Sequence, residues 1–206
     1  RIDKNGVLIW NKRFYVLNSG NGAIHNIVPL SNGDFMAMGS ISPSSSTSYE
    51  FVVRFTAAGT VIWAKRYGYA GTLFDGCQTS DGNVVFSGAY SSSAVSMKID
   101  LNGNVLWRHL YSVSTLPYAH SVVENASGEL LFLIKCASFA YPAIIVKTNA
   151  VGGIIVSYEL TNFASPSQEF TRNSTLRPTS DGGFVLAQER YLKKITGDLI
   201  STCGIA

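Results

Sequence analysis

Charged residues are scarce in this sequence. Lysine, arginine, aspartate and glutamate make up 14% of the 206 residues, and the formal net charge is only +3. The basic residues are scattered rather than gathered into a block or stripe, so no nucleic-acid partner is expected. Apolar residues reach 46%, yet no uninterrupted apolar run approaches the ~20 residues that a membrane helix needs. The composition predicts stacked β-sheets with a large apolar core and no membrane insertion.

Cysteine and the motifs of known enzyme classes are equally sparse. Cys77, Cys136 and Cys203 are the only cysteines. They are too few and too far apart for a disulfide scaffold, although one pair could still bridge. The sequence has no nucleophile elbow, HExxH pair, phosphate-binding loop or dinucleotide fingerprint. We therefore expect no catalytic residue, no cofactor and a protein that is not an enzyme.

Glycine, by contrast, is regularly spaced. One series lies in turns such as SNGDF and SDGNV, and a second series follows basic and apolar stretches such as KIDLNG. Within each series the steps are 44 to 54 residues long. The first series is Gly33, Gly82, Gly128 and Gly182; the second is Gly6, Gly59, Gly103, Gly152 and Gly197. Asn and Asp hydrogen-bond their own backbone and glycine supplies the positive φ, so both series predict β-turns.

A repeat of this length, with two tight turns and four short apolar runs, predicts one blade of a β-propeller. In the clearest repeat, strands a, b, c and d are predicted over 74–78, 83–90, 94–99 and 105–111. Strands b and c are rich in Val, Ile, Phe and Met, which predicts burial on both faces. We expect an all-β, single-domain propeller of about four four-stranded blades. The predicted repeats are 16–67, 68–112, 113–160 and 161–206.

The ends of the sequence suggest how the ring closes. Residues 1–15 carry a strand d without strands a to c of their own, and the last repeat has only a weak strand d. Terminal blades are often completed by a strand from the other end of the chain, because this removes a free sheet edge. The N-terminal strand is therefore expected to complete the last blade. The alternative is a fragment of a larger propeller.

The strand order separates two faces of the ring. The a–b and c–d turns emerge on one face, the turn face, and the b–c and d–a connections on the other, the loop face. The loop face has the variable connections, where binding usually takes place. Its aromatic residues are candidate platforms for stacking against a ligand. They are Tyr15, Tyr69, Tyr111 and Tyr118; packing of these rings between blades is the alternative.

Two histidines occupy equivalent positions near the predicted channel. His25 and His120 both lie eight residues before a turn glycine, where the other repeats have Phe74 and Ser174. This places both at the start of an innermost strand, as candidate polar contacts for a ligand. A metal site needs three or four converging ligands, and Asp75 is the only carboxylate nearby, so no metal is predicted.

Tryptophan also recurs with the repeat. Trp10, Trp63 and Trp107 each lie four residues after a c–d glycine, a position that predicts packing between adjacent blades.

The repeats resemble those of secreted bacterial β-propellers with SDGG and K-x-D-x-x-G-x-x-x-W patterns. Residues 1–10 and 98–107 match best, whereas Val156 and Ser201 replace the tryptophan in later repeats. The resemblance implies an extracytoplasmic, surface-exposed module of an adhesive or secreted protein. The chain is also distantly similar to quinoprotein propellers, but their alanine before the aspartate is absent and the aspartate-to-glycine spacing is three instead of four. Quinone-dependent chemistry is therefore not expected.

These patterns favour an extracellular or cell-surface binding module without enzymatic activity. Its expected ligand is a glycan or another protein, engaged by the d–a and b–c loop face. One alternative is a structural subunit of a surface assembly or filament, because low charge and high apolar content favour self-association. A second is a polysaccharide-acting enzyme, for which His25, Asp75 and His120 are the only candidates.

Overall fold

Fifteen strands form the regular structure of the described part of the chain. The computed structural model describes residues 1–13, 21–44, 47–112, 117–136, 143–160, 175–188 and 191–195. Over these ranges the chain consists of strands, turns and extended connections. No helix in the described ranges is long and apolar enough to span a membrane.

The strands form four antiparallel sheets, each built from strands that follow one another along the chain. Blade 1 consists of β1 (Asn21–Pro29), β2 (Phe35–Ser44), β3 (Thr47–Phe55) and β4 (Val61–Ala70). Blade 2 consists of β5 (Thr72–Gln78), β6 (Val84–Tyr90), β7 (Ser93–Ile99) and β8 (Val105–Tyr111). Blade 3 consists of β9 (Pro117–Glu124), β10 (Leu130–Cys136), β11 (Ala143–Thr148) and β12 (Ile154–Leu160). Blade 4 contains the described strands β13 (Thr175–Pro178), β14 (Phe184–Gln188) and β15 (Tyr191–Ile195).

The four sheets are arranged as the blades of a propeller. The first strand of each blade lies beside the first strand of the next, so β1, β5, β9 and β13 form the innermost row. Separate apolar clusters join blade 1 to blade 2, blade 2 to blade 3, and blade 3 to blade 4. Six of the seven residues of both β6 and β7 are buried. The predicted all-β propeller with doubly buried middle strands is therefore confirmed.

The glycine turns share one hydrogen-bonding pattern. In each of the eight described turns, the first residue donates its N–H to the carbonyl four residues later, and the glycine donates back to the first residue. Eight of the nine glycines of the two series have φ between 76° and 88°, and Gly197 lies outside the described residues. The side chain of Asp100 accepts the N–H groups of Asn102 and Asn104 at 2.9 and 2.8 Å. The turns thus form by the local mechanism that the sequence predicts.

An ion pair repeats beside these turns, and it accounts for the Lys of the K-x-D pattern and the Asp of the SDGG pattern. In every blade a basic residue at the end of strand c pairs with an acidic residue of the a–b turn. The pairs are Arg54–Asp34 at 2.6 Å, Lys98–Asp81 at 2.8 Å, Lys147–Glu129 at 2.7 Å and Lys194–Asp181 at 2.8 Å. Hydrogen bonds from Lys147 and Lys194 hold the pKa of Glu129 and of Asp181 below the ordinary range. Each pair joins the two turns at the turn face of its blade.

The recurring tryptophans pack between blades, as predicted. Trp63 Nε1 donates to the carbonyl of Leu101, in the c–d turn of the next blade, at 2.9 Å. A Cβ on Gly103 of that turn would lie 3.0 Å from the Trp63 ring. The Trp107 ring packs beside Gly152, but there it is His109 Nε2, and not the indole N–H, that hydrogen-bonds to the turn, at the carbonyl of Val151. Gly103 and Gly152 are therefore required both by the turn and by the rings of the preceding blade.

Residues 1–13 pack on blade 1. Trp10 Nε1 and an Arg1 guanidinium nitrogen donate to the carbonyl of Ala57 at 3.0 and 2.6 Å, just as Trp63 and Arg54 of blade 1 donate to the carbonyl of Leu101. The segment thus occupies the place of a c–d hairpin from a preceding blade. The predicted pairing of an N-terminal strand with the last blade is not observed among the described residues, so closure of the ring is not seen.

Substitutions at Gly82 and Gly103 distinguish the free-energy cost of the turn conformation from the cost of packing. Gly82 has φ 82° and open space where a Cβ would lie, whereas a Cβ on Gly103 would also meet Lys65 at 2.9 Å and Trp63 at 3.0 Å. We expect Gly82→Ala to lower the free energy of unfolding by about 1 kcal/mol. Gly103→Ala should cost roughly 1–3 kcal/mol more. Urea denaturation of both variants measures the difference, and equal losses would contradict the packing role.

Candidate binding site on the innermost strands

A β-bulge recurs at the same position of three innermost strands. In β1 the pairing register jumps from Ile24 to Asn26, in β5 from Leu73 to Asp75, and in β9 across the position of His120. The extra residue in each strand is the one that lies eight positions before the turn glycine. A bulge takes that residue out of register with the partner strand and re-aims its side chain. The bulged residues are His25, Phe74 and His120.

Glycines opposite two of the bulges permit the close strand approach. A Cβ on Gly39 would overlap the carbonyl oxygen of Ala23, and a Cβ on Gly88 would overlap that of Thr72. These residues belong to the second strand of each blade and carry no turn signal in the sequence. A glycine inside a strand is itself a sign of a bulge or of close backbone approach, and this is the signal that the sequence offers.

The bulged side chains form a continuous aromatic stripe. The Phe74 ring lies 5.5 Å from the His25 ring and 5.2 Å from the His120 ring, measured between centroids. Tyr118 joins the stripe at 6.3 Å from Phe74 and 6.1 Å from His120. His25 is exposed and the other three rings are half-buried. We call these four residues the aromatic stripe; they lie near the loop-face ends of three neighbouring innermost strands.

A buried polar network lies directly beside the stripe. The residue that follows each bulge is polar, and Asp75 is its centre, with only 3% of its surface exposed. Its carboxylate accepts hydrogen bonds from Asn26 Nδ2 at 2.6 Å and from Ser121 Oγ at 2.6 Å. It also forms an ion pair with Arg177 at 3.1 Å. Asp75 thus connects residues of all four blades and fixes the positions of the bulged rings next to them.

The sequence alone does not reveal this network. In the sequence Asp75 stands out only as a carboxylate near the two histidines. The signal that it does contain is a repeat-equivalent series of polar residues directly after the bulge position: Asn26, Asp75, Ser121 and Thr175. Arg177 lies 102 residues from Asp75 in the chain, so nothing local could indicate their contact.

Tyr69 belongs to a different cluster, at the interface of blades 1 and 2. The guanidinium carbon of Arg108 lies 4.4 Å from its ring centroid and 5.8 Å from that of Tyr90. Arg108 also pairs with the carboxylate of Glu50 at 2.7 Å, and the Glu50 side chain is fully buried. Burial raises the pKa of Glu50, and the hydrogen bond and charge of Arg108 oppose that rise. Tyr69 itself remains 41% exposed.

The structure brings together only part of the predicted binding set. His25, Tyr118 and His120 lie in the aromatic stripe, whereas the Tyr69 ring packs against the Arg108 guanidinium. Tyr111 is only 5% exposed. Its hydroxyl accepts from Ser96 and donates to the carbonyl of Gly152 at 2.9 Å, so it packs between blades and is not a surface platform. Tyr15 lies outside the described residues.

The titratable groups nearby do not assemble a metal centre in the described part of the chain. No three His, Cys, Asp or Glu side chains converge there in a way that could hold an ion. Cys77 follows Asp75 by two residues, and burial raises the pKa of its thiol to about 12. Its sulfur is therefore a protonated packing group and not a nucleophile at neutral pH. The side chain of Cys136 and all of Cys203 lie outside the described residues.

Comparisons with known proteins identify the architecture and no family. No protein-family model matches the chain, and no curated protein matches its sequence. A protein of unknown function from Bacteroides caccae is similar in structure, with a TM-score of 0.65 and 11% identity over 96% of this chain and 64% of that protein. Virginiamycin B lyase from Staphylococcus aureus, an inactive variant with quinupristin, gives a TM-score of 0.56 and 14% identity over 90% of this chain and 59% of the lyase.

A third similar structure is PorZ, described as a bacterial surface component of the type IX secretion system of Porphyromonas gingivalis. Its TM-score is 0.51, with 12% identity over 82% of this chain and 25% of PorZ. At these identities the similarities show the propeller-like fold alone. The chain spans less than two thirds of the length of each of these three proteins.

The Glu50–Arg108 pair gives a test of the interface beside Tyr69. Arg108→Ala leaves a fully buried carboxylate without its cation, so we expect a loss of about 3–5 kcal/mol in the free energy of unfolding. The pKa of Glu50 should rise further in this variant. Because a raised carboxyl pKa costs stability once the group ionises, the loss should grow as the pH increases. Chemical denaturation at several pH values measures both effects.

The matched control removes both charges. Glu50→Ala combined with Arg108→Ala should recover a large part of the stability, because no buried charge is left unpaired. A single Arg108→Ala variant as stable as the unaltered protein would show that Glu50 is hydrated or protonated in the folded state.

Proposed function

We propose that this protein is an extracellular, non-enzymatic binding module whose ligand stacks on the aromatic stripe at the loop-face mouth of the channel. The observation that carries the proposal is the recurrent bulge, which turns His25, Phe74 and His120 out of the strand pairing at equivalent positions of three blades. Bulges weaken a sheet locally and are enriched next to functional sites. Here three of them produce one surface.

The chemistry of the stripe suits a glycan. Aromatic faces pack against the apolar face of a sugar ring, while imidazole nitrogens and the Tyr118 hydroxyl can hydrogen-bond its hydroxyl groups. The centroid separations of 5.2 to 6.3 Å make the stripe longer than a single ring. A ligand with more than one sugar could therefore contact several blades. A polypeptide ligand presenting an aromatic side chain is the alternative that the test distinguishes.

The surroundings of Asp75 support binding over catalysis. A general acid or base must reach the substrate with a free oxygen. The Asp75 carboxylate is instead 3% exposed, and its oxygens are engaged by Asn26, Ser121 and Arg177. In this proposal Asp75 is a tether between blades, and the two histidines contact the ligand without transferring a proton.

An extracellular location is part of the proposal. It is supported by the resemblance of the repeats to those of secreted propellers and by the similarity of the fold to PorZ, a surface component. Tyr69, 41% exposed and held by Arg108, supplies a second aromatic surface on the loop face that a larger ligand could reach.

Replacement of the central ring tests the proposal. A glycan array identifies the ligand, and titration calorimetry then compares Phe74→Ala with the unaltered protein. Phe74 contacts the other three rings of the stripe, and its loss removes roughly 1.5–3 kcal/mol of apolar contact. We expect affinity to fall by about tenfold or more. His25→Ala and Tyr118→Ala should have smaller effects in the same direction.

Leu106→Ala is the matched control, because Leu106 is 51% exposed on the outer strand β8. It should bind like the unaltered protein, and thermal melting should show all four variants folded. Loss of binding in Tyr69→Ala with full binding in Phe74→Ala would move the site to the interface of blades 1 and 2. Binding of peptides and of no glycan would refute the glycan assignment.

A further inference from the structure

A second polar and aromatic cluster lies on the loop face, at the interface of blades 1 and 2. The guanidinium carbon of Arg108 lies 4.4 Å from the ring centroid of Tyr69 and 5.8 Å from that of Tyr90. Both rings are partly exposed, Tyr69 at 41% and Tyr90 at 39%. Because both rings lie close to one guanidinium, a small ligand can contact all three side chains at once. We call Tyr69, Tyr90 and Arg108 the interface site.

The repeat does not account for these residues. Arg108, its buried partner Glu50, and Tyr90 all differ in type from the residues at the equivalent positions of other blades. Those positions hold Ala64 and Ser157 for Arg108, Ala94 and Ala143 for Glu50, and Ile41 and Cys136 for Tyr90. Side chains that the repeated scaffold does not need therefore converge at a single interface, as expected of a site added to a repetitive fold.

Arg108 keeps hydrogen-bond donors that the fold does not use. Its Nε and Nη2 atoms donate to Glu50 Oε1 at 3.2 and 2.7 Å. Its Nη1 atom forms no hydrogen bond within the described residues, and it is not one of the three buried polar atoms there that lack a partner, so it reaches solvent. The hydroxyl groups of Tyr69 and Tyr90 have no partner in this part of the chain either. The interface site thus presents unused polar groups around two aromatic faces.

A glycine holds the two tyrosines close together. Gly71 lies two residues after Tyr69 and has φ 143°. A Cβ at this position would lie 2.7 Å from the carbonyl oxygen of Ala89 and 3.1 Å from Glu50 Oε1. The connection that carries Tyr69 therefore packs directly against the residue before Tyr90. This close approach fixes the site before any ligand arrives, which lowers the entropic cost of binding.

The hairpin that follows Tyr90 has an unfavourable backbone conformation. Tyr90 pairs with Ser93, so the turn consists of Ser91 and Ser92. Ser91 has φ 49°, and no other non-glycine residue of the described ranges has a positive φ. Two-residue hairpin turns usually have glycine or asparagine at such a position. Strained residues are concentrated at ligand and active sites, which supports a role of this hairpin beyond folding.

We propose that the interface site binds one neutral sugar residue. The Glu50 carboxylate cancels the charge of Arg108, so an anionic ligand gains little net attraction. Arg108 Nη1 still donates to neutral acceptors such as sugar hydroxyl oxygens, and the tyrosine hydroxyl groups both donate and accept. The apolar face of a sugar ring packs on the exposed tyrosine rings. The interface site shares no residue with the aromatic stripe, so this proposal does not rest on ligand binding there.

Saturation-transfer NMR of the Phe74→Ala variant tests the interface site while the aromatic stripe is impaired. The probes are the methyl glycosides of glucose, galactose, mannose and N-acetylglucosamine. At least one of them should bind, and adding Arg108→Lys should weaken its binding by about tenfold. Lysine keeps a cation beside Glu50 but has a single nitrogen, so the Nη1 donors are lost while the buried charge stays paired. Tyr90→Ala should weaken binding in the same direction, because it removes one of the two aromatic faces.

The matched control is Arg66→Lys in the same Phe74→Ala background. Arg66 also lies against a tyrosine, with its guanidinium carbon 5.0 Å from the ring centroid of Tyr49, but it is not part of the interface site. This variant should bind the glycosides as well as Phe74→Ala alone does. Thermal melting shows whether each variant remains folded.

Glycoside binding that disappears in Phe74→Ala and survives Arg108→Lys would overturn the interface site and leave the aromatic stripe as the binding site. No binding of any glycoside to Phe74→Ala, or equal losses with Arg108→Lys and Arg66→Lys, would overturn it as well. Tighter binding of methyl glucuronide than of methyl glucoside would contradict a neutral ligand. Binding of a proline-rich peptide in place of every glycoside, abolished by Arg108→Lys, would refute the sugar assignment.

Discussion

The buried carboxylate of Asp75 forms the interactions on which the arrangement of the four innermost strands depends. Blades of a propeller meet through apolar faces, and apolar contacts alone tolerate sliding. Asp75 adds directional bonds to Asn26, Ser121 and Arg177, which lie on three other blades. Because an unpaired buried carboxylate is costly, the four innermost strands are held in one relative position, and the aromatic stripe beside them is held with them.

The outer parts of the blades are held together by a different set of contacts. The described c–d turns each provide a glycine with positive φ and a side chain that accepts an N–H of the same turn. In two of them the carbonyls of Ala57 and Leu101 also accept the indole N–H of Trp10 and Trp63. The turn therefore closes one hairpin and also contacts the tryptophan ring that packs against it. Local turn chemistry and blade packing reinforce one another in this way, as expected of a minimally frustrated fold.

Departures from the repeat mark the places where the blades are not interchangeable. Glu50 and Arg108 form a buried ion pair. Other blades have Ala94 and Ala143 at the position of Glu50, and Ser157 at the position of Arg108. The pair makes the interface of blades 1 and 2 chemically different from the other interfaces, and the Tyr69 ring packs against Arg108. Ile24 and Ile27 differ in another way: they keep the apolar residue type of their repeat positions, but they are exposed where later blades have buried residues.

The sequence by itself determined the blades. Each five-residue turn closes through hydrogen bonds between residues at most four positions apart, and the burial of the short apolar runs needs only neighbouring sheets. Spacing and residue type therefore sufficed to predict the strands, the turns and the equivalence of His25, Phe74 and His120. The tertiary structure alone decided the rest. Whether Tyr111 or Tyr69 is buried depends on which blade lies beside it, and the bulges of β1 and β5 depend on a partner strand with Gly39 or Gly88 opposite. The partners of Asp75 lie 46 to 102 residues away in the chain, and contacts at such separations are set by how whole sheets pack, which no local pattern encodes.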